Sequence, residues 1–410
     1  MYERLVGRVP KDWSTTTLGE LCKTGGGGIQ TGPFGSQLHA SDYVSSGIPV
    51  VMPQNIGDNV INERGIARVR PSDAARLDRH LLRAGDIVYS RRGDVERRAL
   101  VRPIEDGWLC GTGCLRVRVG NAANPAFISY FLGHPEVRRW IVKHAVGATM
   151  PNLNTAILSS VPLILPPRHT QDGIAAVLGV IDDKIALNDR IIRTCDALCG
   201  AFFQRMLGSS DIRYVKIEEI ADINRESVKP NRGGHLRYLD ISSVSLGSIN
   251  WPERMSWEYA PSRARRKASQ WDTLWSTVRP GRRSYALILE NDPELVVSTG
   301  FCVITPRAVG PASLYEVVRR DEFVEYLESM SEGSAYPAVR PERIAQAVVP
   351  LPQSSELQKF ERHAMKLRRR IRGAEAETRN LARIRHALLP KLISGEIGIR
   401  DAEQVAEEVT

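Results

Sequence analysis

From Arg168 onward, apolar residues recur in alternating steps of four and three: Ile174, Leu178, Ile181, Ile185, then Asn188, then Ile192, Cys195, Cys199, Phe202 and Met206. That spacing predicts a long helix with a narrow a/d seam rather than a broad amphipathic face. Asn188 is the polar member of the seam. It either sets register inside it or faces water where the seam splays. The stripe is written again 186 residues later as Phe360, Ala364, Leu367, Ile371, Ala374, Thr378, Leu381, Arg385, Leu388 and Leu392. Arg385 breaks this second stripe, and Ile384 beside it offers an apolar substitute. Each helix spans about 35 residues, or roughly 50 Å at 1.5 Å per residue. Two such stripes in one chain can bury each other.

The same 186-residue offset links other anchors: Pro151 with Pro337, Leu165-Pro166 with Leu351-Pro352, Asp86 with Asp272, Ser90 with Ser276, and Phe202-Phe203 with Leu388-Leu389. The chain therefore reads as one unit duplicated. Ahead of each long helix lie short β-type runs broken by Gly, Pro and Asn. In the first copy these are "GIPVVMPQNI", "GDIVYSR", "RALV" and "GCLRVRV". In the second they are "LRYLDISSV", "DTLWSTV", "SYALILE" and "LVVSTGFCVIT". The short helical stretches "PAFISYFLGHPEVRRWIVKH" and "SLYEVVRRDEFVEYLESM" also correspond. The expected fold is α+β with a pseudo-two-fold internal repeat: two similar globular domains separated by an antiparallel coiled coil of two long helices. Expected boundaries are residues 1–167 for the first domain, 168–210 for the central helix, 211–353 for the second domain and 354–410 for the last helix and tail. Such a coiled coil acts as a ruler between two readers.

Composition narrows what is read. Among 410 residues, 42% are hydrophobic and 25% charged, as in globular proteins with real cores. No run of about 18 apolar residues predicts a membrane span. The start "MYERLVGRVPKDW" lacks the apolar core of a signal peptide, so the cytoplasm is the expected compartment. Lys and Arg exceed Asp and Glu to give a net charge of +9, which favours nucleic acid as partner. Cys110/Cys114 and Cys195/Cys199 are each spaced by four. They read as buried apolar residues, with zinc ligation as the alternative.

Candidate DNA contacts follow from residue chemistry. Gln54 and Asn55 carry amides that can pair with adenine edges, or serve as turn caps. "SRRGDVERR" places Arg91, Arg92, Arg97 and Arg98 around a Gly-Asp turn. "SRARRK" supplies Arg263, Arg265, Arg266 and Lys267, and "RPGRRSY" supplies Arg279, Arg282 and Arg283. Guanidiniums in such clusters suit phosphates first and guanine edges second. The run Gly25 to Gly28 is not followed by Gly-Lys-Ser/Thr, which excludes a P-loop and leaves a turn into the first strand. "NPAF" at Asn124 to Phe127 and "GTG" at Gly111 to Gly113 are superficially like parts of an adenine methyltransferase. The second proline is missing, and the other copy has no counterpart of "NPAF". Histidines show no ligand spacing, and no catalytic or metal site is expected.

Over nearly its whole length the chain resembles the specificity subunits of type I restriction–modification systems. The resemblance is carried by "TGPFGSQLHASDYVSSGIPVVMPQNI", "LWSTVRPGRRSYALI", the G-x-x-x-P anchors Gly147 to Pro151 and Gly333 to Pro337, the Leu-Pro segments, and the helix ends "FFQRML" and "ALLPKLISGEI". It implies that the two globular domains are target-recognition domains, each reading one half of a bipartite DNA sequence. It implies a non-catalytic chain. The helices would set the unread gap and dock modification subunits that methylate adenine. S-adenosylmethionine, ATP and Mg would be held by modification and restriction partners. After the prolines, the acidic-Gln pair common in the family is only partly kept, as Gln171 and as Glu356-Leu357-Gln358, which bears on docking. Specificity subunits of other restriction–modification types are the neighbouring alternative.

Overall fold

In the computed structural model of the protein, the described residues are 11–147, 150–209, 211–231, 233–333 and 336–407. They form two compact units, Met1–Ala186 with Arg379–Thr410 and Leu187–Thr378. Each unit therefore gathers one globular domain together with part of each long helix.

In the first unit β1 (Ser14–Thr17) leads through a Thr17–Glu20 capping box into α1 (Leu18–Thr24). The strands β2 (Gly28–Thr31), β3 (Tyr43–Val44), β4 (Ile48–Val51), β5 (Ala67–Val69), β6 (Ile87–Ser90), β7 (Arg98–Leu100), β8 (Leu109–Cys110) and β9 (Cys114–Arg118) follow, with α2 (Pro71–Arg76) after β5. They make two sheets, β2-β9-β6-β7 and β3-β5-β4-β8. The β4–β8 pair is parallel within an otherwise antiparallel set. Helices α3 (Pro125–Leu132), α4 (Pro135–His144) and α5 (Thr155–Ser159) come next. Then β10 (Pro162–Leu165) pairs back on β1, and α6 (Arg168–Ser209) begins.

The second unit repeats the plan. The strands are β11 (Ile212–Lys216), β12 (Ala221–Ile223), β13 (His235–Leu239), β14 (Val244–Ser245), β15 (Ser248–Ile249), β16 (Arg254–Ser256), β17 (Ala264–Lys267), β18 (Thr273–Ser276), β19 (Tyr285–Leu287), β20 (Leu295–Ser298) and β21 (Phe301–Pro306), with α7 (Ile217–Ile220) before β12. Helices α8 (Pro311–Val318), α9 (Asp321–Ser329) and α10 (Pro341–Gln346), strand β22 (Val348–Pro352), α11 (Ser354–Ser394) and α12 (Ile399–Glu407) complete the chain. The sheets are β12-β21-β18-β19 and β16-β13-β20-β17, and β13–β20 is again the parallel pair. The pairs β6/β18, α3/α8, β10/β22 and α6/α11 all begin 186 residues apart. The fold class read from the sequence is the one observed.

The anchors that betrayed the repeat are backbone latches. Asp86 accepts from the Arg83 amide at 2.8 Å, and Asp272 accepts from the Ser269 amide at 2.8 Å. Ser90 donates to the Arg92 carbonyl at 3.0 Å, and Ser276 donates to that of Val278 at 2.9 Å. Buried polar groups survive at these positions because each has a fixed partner.

Within each unit α6 and α11 pack antiparallel. In the first, Ile174, Leu178 and Ile181 share a core with Leu381, Leu388 and Leu392, and Ile185 packs at its edge. In the second, Cys195, Cys199 and Met206 share a core with Phe360, Ala364 and Ile371, with Ile192 and Leu367 at its edge. One seam position is corrected. Phe202 is 48% exposed, while Phe203 is buried and meets the Phe360 ring edge-on at 5.2 Å. A real helix turns every 3.6 residues rather than 3.5, so at the Phe360 ring the inward side chain falls one residue later than the template, and Met206 then returns to it. Burial pushes the Cys199 thiol up to about 11 and that of Cys110 to about 12, as for thiols packed as apolar groups.

The seam also carries charge. Arg385 donates to Asp182 at 2.6 Å, and Asp182 accepts from Tyr130 at 2.8 Å and Asn59 at 3.1 Å. Arg385 also reaches Asp58. In the second unit Arg368 donates to Asp196 and to Glu316, both at 2.6 Å, and lies 4.7 Å over the Tyr315 ring. Arg319 donates to Asp196 at 2.7 Å. Burial raises the Glu316 carboxyl despite both arginines, whereas at Asp196 Arg368 and Arg319 outweigh burial and hold it low.

Asn188 is fully buried, and neither amide atom has a hydrogen-bond partner. Of the two readings from sequence, the solvent-facing one is excluded. An unpartnered buried amide costs about 1–3 kcal/mol. Replacing Asn188 with Leu, of similar shape, is expected to stabilise the chain by about 1–2 kcal/mol. Urea unfolding midpoints of the two proteins at equal m-value measure this.

Candidate nucleic-acid interface

Two of the three arginine clusters picked from the sequence occupy the same loop in the two copies. After β6 the chain runs through Arg91, Arg92, Gly93 and Arg97, and after β18 through Thr277, Val278, Arg279 and Arg283. Each loop is tied to the G-x-x-x-P segment by equivalent bonds. Gly93 donates to the Pro151 carbonyl at 3.1 Å and Leu153 to that of Arg91 at 2.8 Å; Arg279 donates to that of Pro337 at 2.7 Å and Val339 to that of Thr277 at 2.8 Å. Bridges Arg92–Asn152 and Val278–Ala338 complete the match. Val146–Asn152 and Glu332–Ala338 close the G-x-x-x-P segments themselves.

At one position the copies differ in a telling way. Gly93 has φ +73°, the left-handed region that suits glycine, and its counterpart Arg279 adopts φ +50°. A non-glycine residue there costs roughly 1–2 kcal/mol. Arg279 also stacks its guanidinium 4.6 Å over the ring of Tyr336. Tyr336 is 71% exposed, and its counterpart Met150 is 63% exposed. Both lie one residue before the proline of the repeated segment. Two large apolar side chains thus stand in solvent beside arginine-bearing loops, and neither was singled out from the sequence. The signal was present in the sequence, since both residues lie inside the repeated G-x-x-x-P segments.

The remaining candidates divide. Gln54, Arg92, Arg263 and Arg282 are exposed. Arg91 and Arg265 are half-buried, and Arg265 donates to the Ala264 carbonyl at 2.7 Å. Arg97 pairs with Asp94 at 2.5 Å, Arg283 with Asp321 at 2.6 Å and Lys267 with Glu226 at 3.4 Å. Three candidates turn inward and are corrected. Asn55 accepts from the Met52 amide at 3.0 Å and donates to the Asn62 carbonyl at 3.0 Å, so it is the turn cap of the alternative reading. Arg98 is 3% exposed, donating to the Ser129 carbonyl at 2.5 Å and to Asp58 at 3.2 Å. It fills the space left by Gly133, where a Cβ would collide with its guanidinium. Arg266 is half-buried against Asn224 and the Phe301 carbonyl, and burial lowers its pKa. Which of these side chains turns inward depends on tertiary neighbours such as Gly133, Asn224 and Asn62, which residue type alone does not reveal.

The methyltransferase-like fragments have structural duties. Asn124 caps α3, accepting from the Ala126 and Phe127 amides at 2.9 and 3.1 Å, and its own amide donates to Asp172 at 2.7 Å. Gly111 to Gly113 is the tight turn between β8 and β9, with Gly113 at φ +84°. Gln171 donates to the Pro166 carbonyl and accepts from the Asn124 amide, both at 2.9 Å. Its counterpart role in the second unit falls to Glu361, which accepts from the Ala312 and Ser313 amides at 3.0 and 2.8 Å. Long-helix side chains therefore seat each domain at the N-termini of α3 and α8.

Comparison with known proteins agrees with this architecture. The sequence model of the type I restriction modification DNA specificity domain matches residues 10–194. A Methanocaldococcus jannaschii type I restriction enzyme MjaIX specificity subunit is 20% identical over 97% of this chain and 96% of its own length. A Haemophilus influenzae type I restriction enzyme HindI specificity subunit is 31% identical over 60% of this chain and 49% of its own. Among solved structures, the S subunit of a type I restriction–modification system from M. genitalium superposes with TM-score 0.54 at 14% identity, covering 95% of this chain and 97% of that one.

Substituting Arg279 with Gly separates strain from recognition. It is expected to stabilise the fold by about 1 kcal/mol and to weaken DNA binding about tenfold. Thermal melts and fluorescence-anisotropy titrations of the same preparations check both.

Proposed function

We propose that the chain, whose residues 10–194 match the type I restriction modification DNA specificity domain, is a specificity subunit whose two domains serve a restriction–modification complex. Each domain reads one half of a bipartite duplex target. The first presents the loop of Arg91, Arg92 and Gly93 with Met150, and the second presents Arg279 and Arg282 with Tyr336. The observation that carries this reading is the equivalence of the two loops. The same latch holds an arginine-bearing turn against a segment with an exposed apolar tip in both copies. Arginines engage phosphates and guanine edges. Apolar tips of this kind can wedge between base steps.

In this reading the chain performs no catalytic step. Its adenine-site look-alikes are used as a helix cap and a strand turn. S-adenosylmethionine, ATP and Mg belong to modification and restriction subunits, which dock along α6 and α11. Among the described residues no helix is long and apolar enough to cross a membrane, and the cytoplasm, where DNA is met, is the working compartment.

The helices α6 and α11 each run through both units, at Ala186–Leu187 and Thr378–Arg379. Their length sets the unread gap. One heptad inserted at each of these points adds about 10 Å of helix, or about three base pairs of DNA at 3.4 Å per step. Mapping methylated adenines made by the complex with a partner methyltransferase is expected to show both half-sites unchanged and the gap longer by about three base pairs. Altered half-site bases at constant gap, or methyl transfer by the isolated chain, would overturn the proposal.

A further inference from the structure

The charges buried between α6 and α11 are distributed in a way the repeat itself does not require. Under the 186-residue offset, Asp182 of α6 is equivalent to Arg368 of α11. The two helices are otherwise the same element written twice, yet at this buried position they carry opposite charge. Their partners follow suit. In the first unit Asp182 meets Arg385, and in the second Arg368 meets Asp196, each at 2.6 Å. The domains are matched as well. Tyr130 donates its hydroxyl to Asp182, while its counterpart Glu316 accepts from Arg368.

We infer that this helix interface is keyed: it accepts the opposite half of the chain and rejects a second copy of the same half. The reason is geometric. If α6 packed on α6 of a second copy, the place of Arg368 across from Asp196 would be taken by Asp182. Two carboxylates would meet in a seam, twice per pair. If α11 packed on α11, the place of Asp182 across from Arg385 would be taken by Arg368, and two guanidiniums would meet, again twice. The apolar seam offers little discrimination, since both helices present Leu, Ile and Phe at most of its positions. A duplicated chain otherwise risks pairing like halves, which would join two identical recognition domains and change what the protein reads. Buried like charges suppress that product. This inference concerns assembly and holds whatever DNA each domain recognises.

The test begins with the folded full chain. A protease site placed between Ser209 and Asp211 allows one cut, leaving a piece that ends on α6 and a piece that carries α11. Light and isotope-labelled nicked proteins are mixed and read by native mass spectrometry, where label scrambling reports partner exchange. Random assortment would give like and unlike pairs in equal amounts. The wild-type nicked chain is expected to hold like pairs about a hundredfold below that share. The exchange Asp182→Arg with Arg385→Asp preserves the native pair but turns each like-charge meeting into an opposite one. Like pairs are then expected to rise at least about tenfold. Circular dichroism confirms that the variant is folded; if it is not, Asp182→Asn with Arg385→Gln is read in its place, with the same direction expected. Like pairs at the random share in the wild type, or no increase in the folded variant, would overturn the inference.

Discussion

A guanidinium removed from water needs carboxylate partners to offset its charge, and in this protein that requirement governs how the long helices pack. Arg368 is buried and donates to Asp196 and Glu316. Arg385 reaches Asp182 and Asp58. Such groups add little net stability over a well-packed apolar seam, but removing one partner strands the other at a cost of about 3–5 kcal/mol. Each ion pair therefore acts less as glue than as a condition. The helices pack in the arrangement that satisfies the charges or not at all. Each pair also reaches into its own globular domain, through Tyr130 and Asn59 in the first unit and Glu316 and Arg319 in the second.

Duplication followed by divergence is visible residue by residue. The latches that hold strand ends and turns are the same in both copies, down to Asp86 with Asp272 and Ser90 with Ser276. The groups around the helix seam have been exchanged while the space they fill is retained. Gly133 leaves room for the Arg98 guanidinium in the first unit, and its counterpart Arg319 supplies its own in the second. At the exposed loop, Gly93 gives way to Arg279 in the same left-handed turn. Backbone geometry was kept even where it costs strain, because the turn places the loop against the G-x-x-x-P segment.

The basic character of the chain is spent in two ways. Arg92, Arg263 and Arg282 face solvent, where phosphates can be met. Arg98, Arg368 and Arg385 neutralise acids inside. Net charge alone counts both kinds equally, so a +9 excess is a statement about partners only after the inward arginines are set aside.

Periodicity and repetition were enough to establish the long helices, the duplication and the α+β class, because a heptad stripe and a constant 186-residue offset are properties of spacing, which a sequence records directly. Residue type also marked two loops that prove structurally equivalent, Arg91–Arg97 and Arg279–Arg283. Direction was not legible. Whether Arg98 or Arg92 turns inward depends on the strand's pairing and on a glycine thirty-odd residues away, and whether Phe202 or Phe203 enters the seam depends on helical drift against a partner. The pairing of Asp182 with Arg385 and of Arg368 with Asp196 was likewise invisible until the chain returned on itself, since contact between residues so far apart in sequence is decided by tertiary packing, where the price of an unpaired buried charge selects one arrangement.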